Sequence, residues 1–280
     1  MIHVQSESLR THLRMRDPKA HKNDFGHLLI VAGSFGMAGA AQFAAASALR
    51  SGVGLVTVAC PASIVPILQI TQPGAMCIPL PEEDGAISKE AVPVLENALR
   101  GKTALAIGCG LSMRANPDIV RAVLSDSLPA VIDADALNLC AKYSTLSALF
   151  SSRHVITPHP GEASRLLGRP ASSCIEDARA LHAMGPVSLL KGADSFICGE
   201  DEYISSSGTV GMAKGGSGDV LTGIVSSLLA QGYSPTDAAW MASEIHGLAG
   251  EAAARRLGTI AMTPMDTVDS LSEVFMAYAP

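Results

Sequence analysis

A cluster of glycines precedes an aspartate in the C-terminal third of the chain. The stretch GMAKGGSGDVLTG holds four glycines within eight residues, and Asp219 comes directly before an apolar helical pattern. A carboxylate in the first turn of a helix is accommodated by the helix dipole, which explains Asp219 but not the glycines. Each glycine costs backbone entropy on folding, whereas bare N–H groups at a helix N-terminus bind phosphate. We therefore expect Gly215, Gly216, Ser217 and Gly218 to form an anion hole, with Asp219 as the base that takes a proton from an attacking hydroxyl.

A histidine and a glutamate stand at the end of a strand-like run. In TPHPGE, His159 lies between two prolines and Glu162 begins the next helical pattern. One interpretation is structural, with Glu162 as a favourable first-turn charge and His159 as a loop residue. The other is functional, with a rigid strand end presenting the imidazole to a ligand while Glu162 faces a cation or its waters. The local pattern leaves both interpretations open.

Two further strand ends carry charged side chains. Lys191 follows an apolar run directly in LLKGADS, and a phosphate would be a natural partner for a lysine placed there. VIDADALN places Asp133 and Asp135 at another strand end, where we expect Asp135 to cap the following helix.

Two glycine motifs resemble nucleotide-binding loops without matching them. GSFGMAG follows a strand-like run, but its G-x-x-G-x-x-G spacing differs from the dinucleotide fingerprint. Taken alone it predicts a tight turn, although its glycines also let a ligand approach the backbone. GKT resembles the end of a phosphate-binding loop, but a helical pattern precedes it, and we interpret it as a helix terminus.

The composition excludes several functional classes. The 280-residue chain has a formal net charge of −6, which argues against a general nucleic-acid binder. Its six cysteines are well separated and form no C-x-x-C pair, as in reduced proteins of the cytosol. The N-terminus lacks the apolar core of a signal peptide, and no run reaches the length of a membrane span without polar interruption. We expect a cytoplasmic protein with no nucleic-acid or membrane partner.

Short apolar runs alternate with helical patterns along most of the chain, which predicts an α/β fold. The predicted strands are HLLIVAG, GLVTVA, TALAIGCG, PAVIDA and RHVITP, and a Pro- and Gly-rich loop follows the second. These strands are apolar on both faces, as expected for a parallel sheet covered by helices on both sides. VSLLKGADSFICGEDEYISSSG predicts two or three successive strands, added antiparallel at a sheet edge, and mostly helices follow, the last of them short.

No linker or low-complexity segment interrupts this pattern, so we expect residues 1–280 to form one domain. Ligands of open α/β sheets bind at the carboxyl ends of the strands. The glycines and charged residues that end the predicted strands would gather at that edge.

Taken together, the motifs resemble a known family. GSFGMAGAA, VIDADALN, TPHPGE, LLKGADS and GMAKGGSGDVLTG, in this order, are similar to the ribokinase-like NAD(P)H-hydrate dehydratases, in particular the stand-alone bacterial ADP-dependent enzymes. The resemblance runs from about Phe25 to about Leu271. It implies a ribokinase-like three-layer α/β/α sandwich with a mostly parallel central sheet. It also implies repair of a damaged cofactor, in which the S-epimer of hydrated NADH or NADPH, NAD(P)HX, is dehydrated while ADP is converted to AMP and phosphate.

The resemblance implies roles for individual residues. Asp219 would deprotonate the hydrate hydroxyl, while the amides of residues 215–218 stabilise charge on the transferred phosphoryl group. The positions that match contacts to the hydrated dinucleotide are Ala40, Gly110, His159 and Asp219. The positions that match the adenine nucleotide site, for ADP or alternatively ATP, are Lys191, Gly192, Ala193, Asp194, Ser195 and Gly218. Mg²⁺ is expected, with Glu162 as a candidate to reach it through water and no other metal ligand assigned.

The resemblance also implies partners, and the sequence departs from the family at two points. Family members are commonly tetramers, and an NAD(P)HX epimerase, fused in some relatives, is expected here on a separate chain. The family usually has G-P-G-L-G where this chain has GCGLS, and T-G-N where it has SGT, with Thr209 in place of asparagine. Two alternatives remain beside the dehydratase: a kinase of the same fold acting on a vitamin precursor, and a nucleotide sensor without turnover, which the altered segments favour.

Overall fold

The computed structural model describes all 280 residues. It contains twelve β-strands: β1 Ile2–His3, β2 His27–Val31, β3 Leu55–Pro61, β4 Met76–Leu80, β5 Glu82–Glu83, β6 Ala86–Ile87, β7 Ala104–Ile107, β8 Ala130–Ile132, β9 His154–Ile156, β10 Val187–Leu190, β11 Ser195–Cys198 and β12 Glu202–Ser205. The twelve α-helices are α1 Ser8–His12, α2 Ala38–Arg50, α3 Val65–Thr71, α4 Val92–Leu99, α5 Pro117–Ser125, α6 Ala134–Lys142, α7 Ser144–Ser147, α8 Pro160–Leu167, α9 Ile175–His182, α10 Ser217–Ala230, α11 Pro235–Ala261 and α12 Pro264–Tyr278.

Ten of the strands form one sheet in the order β1-β12-β11-β10-β9-β8-β7-β2-β3-β4. From β10 to β4 all neighbours are parallel, whereas β11 runs antiparallel to both β10 and β12. The predicted antiparallel additions at a sheet edge are therefore present. The outermost strand on that side is β1 from the N-terminus, which pairs parallel with β12 and which the sequence pattern did not reveal.

Helices cover both faces of the sheet, which confirms the predicted α/β fold. Side chains alternate along each strand, so Leu28 and Ile30 of β2 pack in one layer and Leu29 and Val31 in the other. The first layer contains α1, α2, α3, α10, α11 and α12, and the second contains α4 to α9. Helices α10 and α2 approach closely, because a methyl group added at Gly223 would lie 2.2 Å from the carbonyl oxygen of Ala44.

Three local predictions differ from the structure. The segment predicted as a Pro- and Gly-rich loop contains α3 and the edge strand β4, whose Pro79 is tolerated because an edge strand needs fewer ladder hydrogen bonds. The predicted helix at SKEAV begins as a 3₁₀ turn, Lys89–Ala91, before α4. The last helix, predicted to be short, spans fifteen residues. None of the helices is both long enough and apolar enough to cross a membrane.

Candidate active site

Two charged side chains face the same helical layer from the ends of parallel strands β8 and β10, which β9 separates. Asp133 follows β8 and Lys191 follows β10, each two residues after a core side chain, Val131 or Leu189, that packs on the α10 and α11 side. Because side chains alternate across a strand, Asp133 and Lys191 point to that side as well. Lys191 Nζ donates to Asp133 Oδ1 at 2.9 Å, and Thr222 Oγ1 of α10 donates to Asp133 Oδ2 at 2.8 Å. Both oxygens of this buried carboxylate are therefore occupied.

Asp219 lies beside this ion pair in the first turn of α10 and is half-buried. Burial is the main cause that raises the pKa of Asp219 to about 7, and the negative charge of Asp133 raises it further. Cys109 lies near both, with the Sγ and carboxylate oxygens of the three side chains within 4.8 Å of one another. Burial raises the pKa of the Cys109 thiol well above its usual value, so the thiol is neutral. A carboxylate whose pKa lies near neutrality is suited to act as a general base.

The glycine loop presents unbonded backbone donors beside Asp219. Gly216 caps α10 with φ of 104°, and the N–H groups of Gly215, Gly216, Gly218 and Asp219 donate no hydrogen bond within the chain. Lys214 holds the loop in place, because its ammonium donates to the carbonyl oxygens of Ile260, at 2.7 Å, and Met262 at the end of α11. The free N–H groups therefore lie at a helix N-terminus, where the sequence predicts an anion hole.

A pocket of about 540 Å³ opens next to this loop. Its lining includes five of the six residues predicted for the adenine nucleotide: Lys191, Gly192, Ala193, Ser195 and Gly218. A methyl group added at Gly218 would lie 3.4 Å from Lys191 Nζ and 3.8 Å from Asp133 Oδ2, so loop, lysine and aspartate meet at one point. Asp194 does not line the pocket; it is exposed, and its carbonyl oxygen accepts a hydrogen bond from Ser173 Oγ at 2.8 Å.

The rest of the pocket comes from residues that the sequence did not single out. They belong to the loop after β12, to the start of α10 and to the middle of α11: Ser207, Gly208, Val210, Met212, Ala213, Leu221, Ser243, His246 and Gly247. Thr209, which replaces the asparagine usual in the family, also lines the pocket, and its hydroxyl accepts a hydrogen bond from Gly211 N at 3.4 Å. The residues of α11 follow a long apolar pattern, which gave no signal of a binding role.

The residues predicted for the dinucleotide, apart from Asp219, follow the carboxyl ends of strands β2, β7 and β9. Gly110 has φ of 60°, and a methyl group added there would lie 2.8 Å from Ala40 Cβ, so the loop after β7 contacts the start of α2. His159 caps α8: its Nδ1 accepts a hydrogen bond from Gly161 N at 2.9 Å, while more than half of its side chain is exposed.

Glu162 completes the cap of α8 and faces the charged cluster. Its Oε2 accepts a hydrogen bond from His159 N at 2.9 Å, and its Oε1 lies 3.5 Å from His159 Nε2. Burial raises the pKa of Glu162, and the charges of Lys191 and Asp133 also act on it. Glu162 and His159 therefore make the predicted structural cap, and Glu162 is at the same time electrostatically part of the site.

The prediction that Asp135 caps α6 is wrong. The N-cap position belongs to Asp133, whose side chain turns to Lys191 and Thr222 instead of the helix. Asp135 lies in the first turn, and its Oδ2 accepts a hydrogen bond from Ser112 N at 2.8 Å. Ser112 is the last residue of GCGLS and has φ of 73°. Asp135 thereby stabilises the loop in the left-handed conformation that the glycine usual in the family would adopt freely.

Comparison with known proteins gives a consistent result. Residues 28–273 match the family model described as NAD(P)H-hydrate dehydratase. The chain is 42% identical over 275 residues to the bifunctional NAD(P)H-hydrate repair enzyme of Moorella thermoacetica, covering 95% of this chain and 52% of that protein. It is 33% identical to the ADP-dependent (S)-NAD(P)H-hydrate dehydratase of Neisseria meningitidis, covering 90% of this chain and 88% of that one.

A solved structure agrees with these sequence matches. The ADP/ATP-dependent NAD(P)H-hydrate dehydratase of Bacillus subtilis, co-crystallised with ATP/Mg²⁺, superposes with a TM-score of 0.83 at 27% identity, covering 98% of this chain and 97% of that one. The chain spans about half the length of the bifunctional relatives that it matches.

Proposed function

The chain belongs to the NAD(P)H-hydrate dehydratase family, and we propose that it converts the S-epimer of NADHX or NADPHX back to NADH or NADPH, coupled to hydrolysis of ADP to AMP and phosphate. The observation that carries the proposal is the position of Asp219, with a pKa of about 7, beside the unbonded amides of the glycine loop. The match to this family favours the dehydratase over the vitamin-precursor kinase.

The proposed reaction begins with proton transfer to Asp219. The hydroxyl of the hydrated ring loses its proton to this carboxylate, and its oxygen attacks the β-phosphorus of ADP, releasing AMP. The ring oxygen then leaves with the phosphoryl group as phosphate, displaced by the lone pair of the ring nitrogen, and loss of a ring proton restores the double bond. Phosphorylation is needed because hydroxide is a poor leaving group. The free amides of Gly216 and Gly218 would stabilise the charge on the transferred phosphoryl group.

Two pairs of residues position the reactants in this proposal. Lys191 and Gly218 lie where the nucleotide pocket meets Asp133, so they would hold the phosphates of ADP at the anion hole. Ala40 and Gly110, in contact with each other, would give the hydrated ring close access to the backbone, while the half-exposed imidazole of His159 would contact the dinucleotide.

The side chains near Asp219 do not by themselves make a magnesium site. Mg²⁺ takes oxygen ligands, whereas the closest cluster includes the Cys109 thiol, and both Asp133 oxygens are already hydrogen-bonded. We therefore propose that Mg²⁺ enters with the nucleotide, held mainly by its phosphates, whose charge it would neutralise, with Glu162 reaching it through water.

The organisation around this activity is also proposed. We propose that residues 1–280 form a single domain, supported by the continuous ten-stranded sheet, and that the protein works in the cytoplasm as a homotetramer. The bifunctional relatives suggest an epimerase as functional partner, which we propose is supplied by a separate chain.

A coupled assay tests the proposal. Purified protein is incubated with Mg²⁺ and chemically prepared NADHX or NADPHX, with ADP or ATP in turn, and the return of reduced-nicotinamide absorbance is followed. We expect recovery with ADP and release of AMP and phosphate in equal amounts. Absence of recovery with both nucleotides, in folded protein that binds ADP, would reject the dehydratase and leave the vitamin-precursor kinase and the nucleotide sensor.

A further inference from the structure

The loop after β12 forms one wall of the nucleotide pocket. Ser207, Gly208 and Thr209 of this loop all line the pocket. Gly208 has φ of 133°, a backbone conformation that residues with a side chain rarely adopt. Of the three backbone N–H groups, only that of Gly208 donates a hydrogen bond within the chain. The shape of this wall therefore depends on that hydrogen bond more than on regular secondary structure.

The acceptor of this hydrogen bond is Glu251, 43 residues further along the chain. Gly208 N donates to Glu251 Oε1 at 2.9 Å, and Glu251 is a half-buried residue of α11. Hydrogen bonds to a carboxylate are stronger than those between two neutral groups. Glu251 is not itself among the residues that line the pocket. It therefore acts on a bound nucleotide through the loop and not by direct contact.

Two other residues on the same face of α11 contact the chain at the end of β12. Ser205 Oγ, at the end of the strand, donates to Glu244 Oε2 at 3.0 Å. A methyl group added at Gly247 would lie 2.4 Å from the carbonyl oxygen of Ser207. Positions i, i+3 and i+7 of a helix share one face, so Glu244, Gly247 and Glu251 lie in a row. The chain from β12 onward follows this row, and Glu251 holds the part beyond Ser207.

We propose that Glu251 is a positioning residue of the nucleotide site. By accepting the hydrogen bond from Gly208 N, its carboxylate holds the loop after β12 where it forms the pocket wall, and loss of this acceptor weakens the binding of ADP. The inference deepens the proposed function and rests on it for the identity of the nucleotide. Glu251 takes no part in proton transfer or in the binding of the hydrated dinucleotide.

The chain supplies a matched control. Glu273 of α12 is half-buried like Glu251, and its Oε1 lies 2.9 Å from Nη1 of Arg256 in α11. Neither Glu273 nor Arg256 lines the pocket. Glu273→Ala therefore removes one polar contact of the same length from α11 without releasing the loop. Glu251→Gln is the second comparison, because the amide oxygen of glutamine still accepts a hydrogen bond.

Two measurements on the unaltered protein and these variants test the inference. Hydrogen–deuterium exchange of the peptide that contains Gly208 reports whether the loop is held, and calorimetric titration with ADP reports the state of the pocket. In Glu251→Ala we expect faster exchange of this peptide and a Kd for ADP about 3- to 10-fold higher, because only about a tenth to a third of the molecules would keep the wall in place. Glu251→Gln should stay within about twofold of the unaltered protein, and Glu273→Ala should change neither quantity.

Kinetics separate positioning from a general loss of stability. The residues proposed for the dinucleotide, Ala40, Gly110 and His159, lie outside this wall. Glu251→Ala should therefore raise KM for ADP and leave KM for NADPHX, and kcat at saturating ADP, within a factor of about two. A variant that was partly unfolded would instead lose kcat. If Glu251→Ala fails to fold, Glu251→Leu, which also lacks an acceptor, takes its place with the same expectations.

The outcomes separate this inference from the proposed function. An unchanged Kd for ADP in Glu251→Ala, or an equal rise in Glu273→Ala, overturns the role of Glu251 even if the protein repairs NAD(P)HX. An equal rise in Glu251→Gln also overturns it, since the acceptor oxygen would then not be what holds the wall. Failure of the hydrate assay in a protein that binds ADP rejects the dehydratase and leaves the exchange and binding results on Glu251 standing.

Discussion

The two ends of α10 differ in whether their terminal backbone groups are hydrogen-bonded. At the N-terminus, the amides of Gly216 and Gly218 have no acceptor in the chain. At the C-terminus, Arg14 donates to the carbonyl oxygens of Gln231 and Gly232, each at 3.0 Å, and its guanidinium stacks on Tyr233. Both ends of any helix leave backbone groups unpaired. At its C-terminus the chain itself supplies the missing hydrogen bonds, which stabilise the fold. At its N-terminus the amides stay free to donate to a ligand, beside the proposed base Asp219.

The largest effect on activity is expected from replacing Asp219, the proposed base at the N-terminus of α10. Asp219→Asn keeps the shape of the side chain but removes the proton acceptor, so kcat should fall by about 10³-fold or more. Kd for ADP should change little. Initial rates and calorimetry measure the two effects, with Asp269→Asn, an exposed carboxylate of α12, as the control. Near-normal turnover in Asp219→Asn would exclude this residue as the base.

A side chain in the glycine loop should block the anion hole. Gly218→Val would place methyl groups beside Lys191 Nζ, where the phosphate is proposed to lie, and should raise Kd for ADP by about 10- to 100-fold. The backbone at Gly218 does not require a positive φ, so the fold should survive.

The control is Gly168→Ala at the C-cap of α8, where φ is 64° and an added methyl group meets no neighbour. That change should cost stability and leave Kd for ADP unaltered. Equal effects of the two changes on Kd would mean that the loop acts through general stability.

The pH dependence of the rate should follow the ionisation of Asp219. The base works when ionised, and its pKa is raised to about 7, so kcat/KM should rise with pH and be about tenfold below its plateau at pH 6. A plateau that extends down to pH 5 would contradict the assignment.

The same pKa shift predicts how stability varies with pH. The pKa of Asp219 is about 7 in the folded state and 3.8 in the unfolded state, so between these values the folded state binds more protons. The free energy of unfolding that Asp219 contributes therefore falls as pH rises from about 4 to 7. The melting temperature of Asp219→Asn should therefore exceed that of the unaltered protein by a margin that grows over this range.

Removing the hydrogen bonds at the C-terminus of α10 should lower the free energy of unfolding and leave activity unchanged. Arg14→Ala removes two hydrogen bonds to carbonyl oxygens and a cation–π contact, so the free energy of unfolding should fall by about 1–2 kcal/mol. Urea denaturation measures the loss. The values of kcat and Kd for ADP should stay within a factor of about two. A large loss of activity would show that the two ends of the helix are coupled.

The smallest expected effect is a gain in the free energy of unfolding when Ser112, in the loop after β7, is replaced by glycine. Ser112 has φ of 73°, which glycine adopts without strain, so Ser112→Gly should raise the free energy of unfolding by about 0.5–1 kcal/mol. Ser112→Ala is the control, since alanine keeps the strain. If the glycine variant is no more stable than the alanine variant, Asp135 already compensates for the conformation.

The sequence was enough to predict the parts of the molecule that rest on local pattern. Apolar runs ending in glycine predicted the parallel strands, and the glycine loop before Asp219 predicted the free amides, because backbone geometry there depends on which residues lack a Cβ. The family and the fold inferred from the ordered motifs are both confirmed. The roles of individual residues stay predictions.

What the sequence did not reveal depends on contacts between distant segments. Strand β1 gains its structure only by pairing with β12, about 200 residues away. The role of Asp133 as partner of Lys191 and Thr222, and the place of His246 in the pocket wall, arise where separate elements meet. Asp135 was misassigned because an aspartate near a helix start suits a cap, and the chain placed Asp133 at the cap instead.

Side chains alternate between the two faces of a β-strand, and this alternation brings Asp133 and Lys191 to the same face. It also limits which insertions and deletions the gene can tolerate. Each charge stands two residues after a buried core side chain on its strand. Deletion or insertion of a single codon within β8 or β10 would move that charge to the opposite face of the sheet and place a core side chain in the site. Length variation among descendants of this gene should therefore collect in the loops at the amino edge of the sheet, while these two strands change only by substitution.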